Sequence, residues 1–310
     1  MNLLPVFDFP VWRAACASAV EQALSHWVSV SALASAQDSP PEALLASMRY
    51  AVLDGGKRLR PLLVLAAADA AGGADAPGQA ALRAACAVEL IHAYSLVHDD
   101  MPCMDNDVLR RGKPTVHVQF GEAAALLAGD ALQALAFELL TPEDAGMPAG
   151  QQARLCRLLA RAAGCAGMAG GQAIDLASVG LALTEVQLRE MHRLKTGALL
   201  QASVMMGAAC GDASPAATQA LQRYGAAIGL AFQVVDDILD VTADSATLGK
   251  TAGKDADQNK PTFVSLLGLV PAQQQAQALL AQALEALDAS GLAQTGALRS
   301  LAEMVVNRSR

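Results

Sequence analysis

The chain has 310 residues, is 53% hydrophobic but only 4% aromatic, and carries a formal net charge of −8. This acidic balance argues against a general nucleic-acid-binding protein, because such proteins present a broad basic surface. Alanine and leucine dominate and are good helix formers, whereas few segments alternate in the way that predicts strands. We therefore expect an all-α protein. No linker is long or polar enough to separate domains, so residues 1–310 are expected to form a single domain.

Nothing in the sequence predicts a secreted or membrane protein. Residues 1–9 lack a basic segment and contain Asp8, so we expect no signal peptide. Six scattered cysteines form no C-x-x-C pair, which favours a reduced, cytoplasmic protein over a disulfide scaffold. The longest charge-free run, between Lys260 and Glu285, is interrupted by Pro261 and Pro271, so no stable membrane insertion is expected.

The first candidate site is the segment G-G-K-R-L-R-P, from Gly55 to Pro61. Proline suits the first turn of a helix, so Lys57 and Arg60 are expected at a helix N-terminus, where free N–H groups and the helix dipole attract anions. Alone, this segment would be better explained as a glycine hinge with solvated charges. Beside the aspartate motifs described next, it indicates a phosphate site.

Two aspartate motifs each follow a long apolar, alanine-rich stretch. The first contains Asp99, Asp100 and Asp105; the second contains Asp236, Asp237 and Asp240. Aspartate is disfavoured inside helices and is rarely buried unless it is paired or binds a metal. Asp236 and Asp240 are four residues apart and therefore project from one helical face. Hard carboxylate oxygens suit Mg²⁺, which commonly shares its ligands with substrate phosphates, so the motifs predict a diphosphate bound through magnesium.

Several polar residues near these motifs are candidates for the same site. His92 lies seven residues before Asp99 on nearly the same helical face and could donate to a phosphate, although a structural histidine is the alternative. Arg110 and Arg111 would point about 100° apart on a helix and could serve two anions, although a surface charge pair is the alternative. Lys195 and Thr196 open another apolar run and could face a cavity. His98 and His117 are expected to be structural.

The charged segment from Ala243 to Thr262 differs from the rest of the chain. It carries Lys250 and Lys260 with little apolar content. We interpret it as a mobile loop with phosphate-binding charge because it follows an aspartate motif directly. A solvated linker is the alternative.

Taken in order, the motifs resemble those of the trans-prenyltransferase (polyprenyl synthetase) family. They are G-G-K-R-L-R-P, D-D-x-x-x-x-D followed by R-R-G, then K-T-G, and F-Q-x-x-D-D-I-L-D with a downstream G-K, between about residues 50 and 267. Pro102-Cys103 inside the first aspartate motif and Tyr94-Ser95 before it are most similar to the bacterial farnesyl diphosphate synthases of that family. Asn106 departs from the acidic run of many relatives.

The resemblance implies an isoprenoid-synthase-like helical bundle around a deep central cavity, usually as a homodimer. It implies magnesium ligands at Asp99, Asp100, Asp105, Asp236 and Asp240, with Asp237 in support. It implies an allylic diphosphate site formed by Arg110, Lys195 and Lys250, with Lys260 as a weaker candidate, and an isopentenyl diphosphate site formed by Gly56, Lys57, Arg60, His92 and Arg111. Thr196 and Gln233 would line the cavity, and the implied catalytic group is Asp99, Asp105, Asp236, Arg110 and Lys195.

The implied reaction is an Mg²⁺-dependent head-to-tail condensation. Isopentenyl diphosphate would be joined to dimethylallyl diphosphate and then to geranyl diphosphate, giving farnesyl diphosphate and free diphosphate. The family resemblance favours Tyr94 as the floor of the cavity, whereas a helical wheel favours Ser95 as the nearer wall. Alternatives are a geranylgeranyl or geranyl diphosphate synthase, a terpene cyclase, and a non-catalytic regulatory subunit.

Overall fold

The computed structural model describes residues 7–34, 38–53, 55–72, 78–143, 146–181, 183–242 and 262–308. Within these ranges the protein is all-α apart from one short hairpin, as the sequence predicts. Of the predicted lid segment only Thr262 is described, so Lys250 and Lys260 lie outside the described residues.

The helices follow one another with short connections. In chain order they are α1 (Phe9–Trp27), α2 (Val30–Leu33), α3 (Glu42–Val52), α4 (Leu59–Ala70), α5 (Gln79–Asp99), α6 (Val116–Phe120), α7 (Glu122–Leu140), α8 (Ala149–Ala163), α9 (Met168–Ala177), α10 (Glu185–His192), α11 (Ala198–Cys210), α12 (Pro215–Thr242), α13 (Phe263–Leu267), α14 (Leu269–Asp288) and α15 (Gly296–Val306). A π-helical turn (Arg193–Gly197) joins α10 to α11, and the hairpin consists of β1 (Leu109–Arg110) and β2 (Lys113–Pro114).

Local sequence signals explain where several helices begin. Asp8 accepts a hydrogen bond from the backbone N–H of Val11 and caps α1. Ser214 accepts one from the backbone N–H of Ala217 and caps α12, the helix that carries the second aspartate motif. Pro215 then fills the first helical position, where its missing N–H has no cost.

The main core is formed around α4, α5 and α11. Almost all of α4 is buried, and it packs against α5 and α11, while α7 covers another side of α5. A second, smaller core joins α10, α12, α13 and α14 through residues such as Leu188, Val234 and Phe263. A third cluster packs Val97 and Met101, at the end of α5, against Val116 and Ala125. The end of α5 and the end of α12 are therefore each held by a packed apolar cluster.

Two helices, α5 and α7, are long and apolar enough to cross a membrane by length and composition. Their most apolar windows are 61% and 44% buried inside the fold. Core helices of water-soluble proteins pass the same test, so two such helices are weak evidence for a membrane span.

Candidate active site

The first aspartate motif begins where α5 ends. Asp99 is the last residue of α5, and Asp100 follows as its C-cap. The chain then turns back, so that the backbone N–H of Asp105 donates to the carbonyl of Asp99 at 2.8 Å. Asn106 lies in this turn with a φ of 51°, in the left-handed region that asparagine tolerates better than most residues. The departure at Asn106 therefore suits the turn that returns Asp105 to Asp99.

Asp99 lies where a cation would be favourable. Burial raises its pKa to about 6, Lys195 opposes that effect, and Asp105 raises the pKa further. A bound cation favours the ionised form of a carboxyl group, so it would offset both the burial and the repulsion between the two acids.

Arg110 and Arg111 lie on a hairpin and not on a helix, so the argument that they point 100° apart is wrong. Arg110 belongs to β1, whereas Arg111 occupies the following turn with a φ of 52°. The two side chains nevertheless diverge, because the turn sends each to a different neighbour. Arg110 pairs with Asp100, and Arg111 contacts the glycine segment near Gly55.

The Arg110–Asp100 pair is a two-pronged ion pair. Arg110 donates from Nε and Nη2 to both carboxylate oxygens, at 2.5–3.0 Å. Asp100 is only 2% exposed, so its carboxylate needs the positive charge of Arg110 to remain ionised. Arg110 thus supports Asp100 directly, a contact that the sequence did not indicate.

Arg111 connects the arginine motif to the glycine motif. Its Nη1 donates to the carbonyl of Gly55 at 2.7 Å. At Gly56, where φ is 122°, a β-carbon would lie 2.9 Å from the same nitrogen. Only glycine fits both this backbone conformation and this close approach. The structure thus brings together two segments predicted to bind the same diphosphate, with Lys57 exposed beside them.

Arg60 and His92 lie beside this contact. The Nε of Arg60 is buried and has no hydrogen-bond partner among the described atoms. Burial lowers the pKa of Arg60, while Glu89 and Asp236 oppose that effect. Burial also lowers the pKa of His92 well below its usual value, and Arg60 lowers it further. A neutral imidazole among arginines and a guanidinium with an unpaired Nε are together suited to receive an anion.

Arg58, inside the same motif, has a structural role that sequence reasoning missed. It donates to Glu21 at 2.6 Å, to Glu89 at 2.7 Å and to the carbonyl of Val52 at 2.7 Å. The available signal was Glu89, an acid in the middle of an apolar helix, which needs a buried partner.

Lys195 and Thr196 lie in the π-helical turn, a feature often found at functional sites. Lys195 forms a 2.5 Å ion pair with Asp175 of α9. Its positive charge also lowers the pKa of Asp99, against the effect of burial. Thr196 donates to Gln233 of α12 at 3.1 Å. The turn therefore lies between the two aspartate motifs and contacts the helix of the second.

Asp237 is held by hydrogen bonds within the protein. Gln233 donates to one of its oxygens at 2.9 Å, and the backbone N–H of Phe263 donates to the other at 2.7 Å. Asp237 is 2% exposed. It therefore fixes the start of α13, where the chain returns after the charged segment.

Asp236 and Asp240 follow one face of α12, as their spacing predicts. Asp236 accepts a 2.6 Å hydrogen bond from Arg308, whose guanidinium also lies 3.9 Å from the ring centroid of Phe232. Asp240 is 5% exposed. Arg308 was missed because no motif surrounds it in the sequence.

The predicted magnesium ligands are not gathered into one cluster. Within the ranges that the structure describes, no group of three or more His, Cys, Asp or Glu side chains could hold a metal ion as it stands. Asp100 and Asp236 are instead paired with arginines. The donor set nonetheless fits magnesium, because it consists of hard carboxylate oxygens and includes Asp99 with its raised pKa.

The two residues predicted to set product length lie one turn before Asp99 on α5. Tyr94 is partly buried, and its ring contacts the ring of His98 edge-on. Ser95 donates its hydroxyl to the carbonyl of His92 at 2.9 Å.

The structure has a small cavity beside Asp100 and a larger cleft beside α3. The cavity, of about 40 Å³, is lined by Leu96, Arg110 and Val116 among others, and the open cleft, of about 470 Å³, lies between α3 and Phe120. Neither reaches the second aspartate motif, so the central cavity that the resemblance implies stays a prediction.

Comparison with known proteins gives consistent results. A model of the polyprenyl synthetase family matches residues 41–296. The farnesyl diphosphate synthase of Escherichia coli K12 is 46% identical over 98% of this chain and 100% of that protein. Geranylgeranyl pyrophosphate synthase 7 of Arabidopsis thaliana is 44% identical over 97% of this chain and 84% of that protein. The Helicobacter pylori geranyltransferase structure, complexed with magnesium and isoprenyl diphosphate, is 35% identical with a TM-score of 0.82, covering 99% and 98% of the two chains.

Proposed function

Because the chain belongs to the polyprenyl synthetase family, we propose that it is a prenyltransferase that makes farnesyl diphosphate. The proposed reaction joins isopentenyl diphosphate head to tail to dimethylallyl diphosphate and then to geranyl diphosphate, releasing diphosphate. The observation that carries this proposal is a pair of distinct charged groups. One consists of Arg60, His92 and Arg111, and the other of Asp99 with Lys195.

The first group is suited to isopentenyl diphosphate, which must keep its diphosphate. Arg111 is held against Gly55, and the unsatisfied Nε of Arg60 gives a buried donor that needs an acceptor. Lys57 is exposed at the edge and adds a third cation. No magnesium ligand is required here, since these cationic side chains can bind the diphosphate directly.

The second group is suited to the allylic diphosphate, which must leave. Magnesium would be held between the two aspartate motifs. Its ligands would be Asp99, Asp100 and Asp105 on one side and Asp236 and Asp240 on the other, with Asp237 supporting them. Bound magnesium supplies positive charge that stabilises the departing diphosphate. The family and a relative with bound magnesium support a divalent metal.

The chain's own residues then direct the chemistry. Lys195 and Arg110 add positive charge where the leaving group becomes negative. The isopentenyl diphosphate site, formed by Arg60, His92 and Arg111, holds the double bond of that substrate against the allylic carbon. Thr196 and Gln233 are hydrogen-bonded to each other and would give the predicted cavity a fixed polar wall. The released diphosphate is the proposed proton acceptor, because these residues include no obvious base. The predicted lid from 243 to 262 would exclude water.

Other activities fit these residues less well. A terpene cyclase needs no isopentenyl diphosphate site, so Lys57, Arg60 and Arg111 would have no role. A regulatory subunit would be expected to lose one aspartate motif, and both are intact. A geranylgeranyl or geranyl diphosphate synthase uses the same chemistry and differs only in product length, and Tyr94 favours the farnesyl product.

We further propose a cytoplasmic homodimer. The exposed side of α7 presents Leu126 and Leu127, which are 47% and 56% exposed. Adjacent large apolar side chains on one helix support burial against a second copy of the chain. Size-exclusion chromatography with light scattering tests this, and a monomer at micromolar concentration would contradict it.

Product analysis tests the main proposal. Purified protein is incubated with Mg²⁺, isopentenyl diphosphate and either dimethylallyl or geranyl diphosphate, and the dephosphorylated products are separated by chromatography. We expect farnesol as the main product with both primers and none with chelator. A twenty-carbon main product would favour the geranylgeranyl alternative, and cyclic hydrocarbons made from the primer alone would favour a cyclase.

A further inference from the structure

His98 contacts both Tyr94 and the backbone of α7. We propose that His98 and Gly129 act together as positioning residues, which fix the ring of Tyr94 and thereby set the length of the product. This inference rests on the proposed prenyltransferase function and on Tyr94 as the cavity floor, and it assigns a role to His98 that the sequence did not suggest.

The contact between the two rings is specific. Tyr94 and His98 are four residues apart on α5 and therefore neighbours on one face. Their ring centroids are 5.7 Å apart and their planes meet at 76°, the edge-to-face arrangement that aromatic pairs favour. The His98 ring therefore restricts where the Tyr94 ring can go.

His98 is itself fixed by α7. Its Nε2 lies 3.1 Å from the carbonyl oxygen of Leu126, so the tautomer with a proton on Nε2 can donate a hydrogen bond to it. The ring also rests on the helix backbone at Gly129, where a β-carbon would lie 2.6 Å from Cδ2 and 2.7 Å from Cε1. Separations this short require the ring to move.

Glycine in the middle of a helix is unfavourable relative to alanine. Gly129 lies inside α7, and the His98 ring gives a reason for it. The series Gly129, His98 and Tyr94 thus passes from the backbone of α7 to the proposed cavity floor through two direct contacts. A change at either of the first two positions should reach product length through Tyr94.

Single and combined variants test this relay. His98→Ala removes the ring that packs against Tyr94, so the Tyr94 ring is free to move aside, and the ratio of twenty-carbon to fifteen-carbon product should rise about tenfold, as expected for a small change in pocket volume. Gly129→Ala pushes the His98 ring off α7 and should change the product ratio in the wild-type background. In the His98→Ala background, Gly129→Ala should change nothing, because no ring remains to be displaced. Likewise, the product ratio of the His98→Ala/Tyr94→Ala double variant should equal that of Tyr94→Ala alone.

Controls separate positioning from general damage. His26→Ala changes an exposed histidine on α1 and should leave the product ratio unchanged. His98→Asn keeps a donor for the Leu126 carbonyl without the ring, and should lengthen products as His98→Ala does. Thermal melting checks the fold of every variant, and a purely structural role would lower melting temperature and turnover without changing the product ratio.

Several results would overturn the inference. Active His98→Ala and His98→Asn proteins that still make mainly farnesyl diphosphate would do so, as would a Gly129→Ala effect that persists in the His98→Ala background. If His98→Ala does not fold, His98→Asn and Gly129→Ala decide the matter. A wild-type protein that forms no condensation product would instead contradict the proposed function itself, and the inference with it.

Discussion

Arg308 donates a 2.6 Å hydrogen bond to the carboxylate of Asp236, a residue proposed to bind magnesium. The guanidinium is stacked 3.9 Å from the ring centroid of Phe232, one turn earlier on α12. The arginine therefore occupies one oxygen of the second aspartate motif. A metal ion that binds Asp236 must compete with this cation, because both use the same carboxylate.

Removing Arg308 should therefore favour metal binding. For Arg308→Gln we expect the protein to bind Mn²⁺, used as a paramagnetic substitute for Mg²⁺, about threefold to tenfold more tightly without substrate. This expected gain in affinity is smaller than the free energy of a fully buried charged hydrogen bond, because the Asp236 side chain is 40% exposed. Electron paramagnetic resonance measures free Mn²⁺ in the titration. Arg299→Gln, which removes a pair with Asp288, is the control, and weaker binding by Arg308→Gln would contradict the competition.

Adjacent aspartates on α12 should have different roles. Asp236→Ala, like Asp99→Ala, should abolish turnover and leave the helical circular dichroism spectrum almost unchanged. Asp237→Ala should instead lower the free energy of unfolding by about 1–3 kcal/mol, because the buried N–H of Phe263 loses its acceptor. Steady-state rates and thermal melts compare the three variants. An Asp236→Ala protein that keeps a tenth of wild-type turnover at saturating Mg²⁺ would exclude it as a metal ligand.

Arg110 and Arg111 should separate by substrate and by stability. Arg111→Ala should raise the KM for isopentenyl diphosphate about tenfold or more, since a charged hydrogen bond to phosphate contributes roughly 1.5–3 kcal/mol. Its melting temperature should change little. Arg110→Ala should weaken use of the allylic primer and also lower the melting temperature, because Asp100 is left buried without its partner. Equal effects of both substitutions on both substrates would refute two separate anion sites.

Features that depend on local sequence were predictable. The helical character of the chain, the start of α12 at Pro215, and the common face of Asp236 and Asp240 follow from propensity, capping and periodicity. These are properties of segments a few residues long, so the sequence contains the signal directly.

Features that depend on contacts between distant segments were not predictable from the sequence. Arg58 reaches Glu21 and Glu89, and Arg308 reaches Asp236 across 72 residues. The sequence indicates that Glu89 needs a partner, but it identifies none of these three pairings. The hairpin carrying Arg110 has strands of two residues, which are too short to show strand periodicity in the sequence. The motifs identified which charges matter, while the partners of those charges depended on the fold.

Product length should respond to substitutions on the α5 face that precedes Asp99. Tyr94→Ala should deepen the cavity and give products longer than fifteen carbons. Ser95→Phe should fill it and shift the product toward ten carbons, since the small Ser95 side chain, as far as the described residues show, hydrogen-bonds only within its own helix, to the His92 carbonyl. Chromatography of dephosphorylated products measures both. If each variant still makes mainly farnesyl diphosphate while KM for the diphosphates is unchanged, the cavity floor lies on another helix.

His192 should make the protein less stable in mild acid. It is 6% exposed, its ring lies 5.5 Å from that of Phe263, and neither ring nitrogen has a hydrogen-bond partner among the described residues. Burial lowers the pKa of His192 from 6.5 to about 4, although Asp175 opposes the shift. Between these two pH values the unfolded chain binds a proton that the folded protein does not, so stability falls as the pH is lowered from 6.5 towards 4.

The full effect of this shift is about 3 kcal/mol, at about 1.4 kcal/mol for each pKa unit. His192→Leu removes the titrating group and keeps an apolar side chain of similar size, so its advantage in melting temperature over the wild type should grow as the pH falls through that range. His26→Leu, at an exposed position, is the matched control and should leave the pH dependence unchanged. Melting curves for the wild type and His192→Leu that stay parallel between neutral pH and the lower limit would show that His192 does not titrate with the shifted pKa.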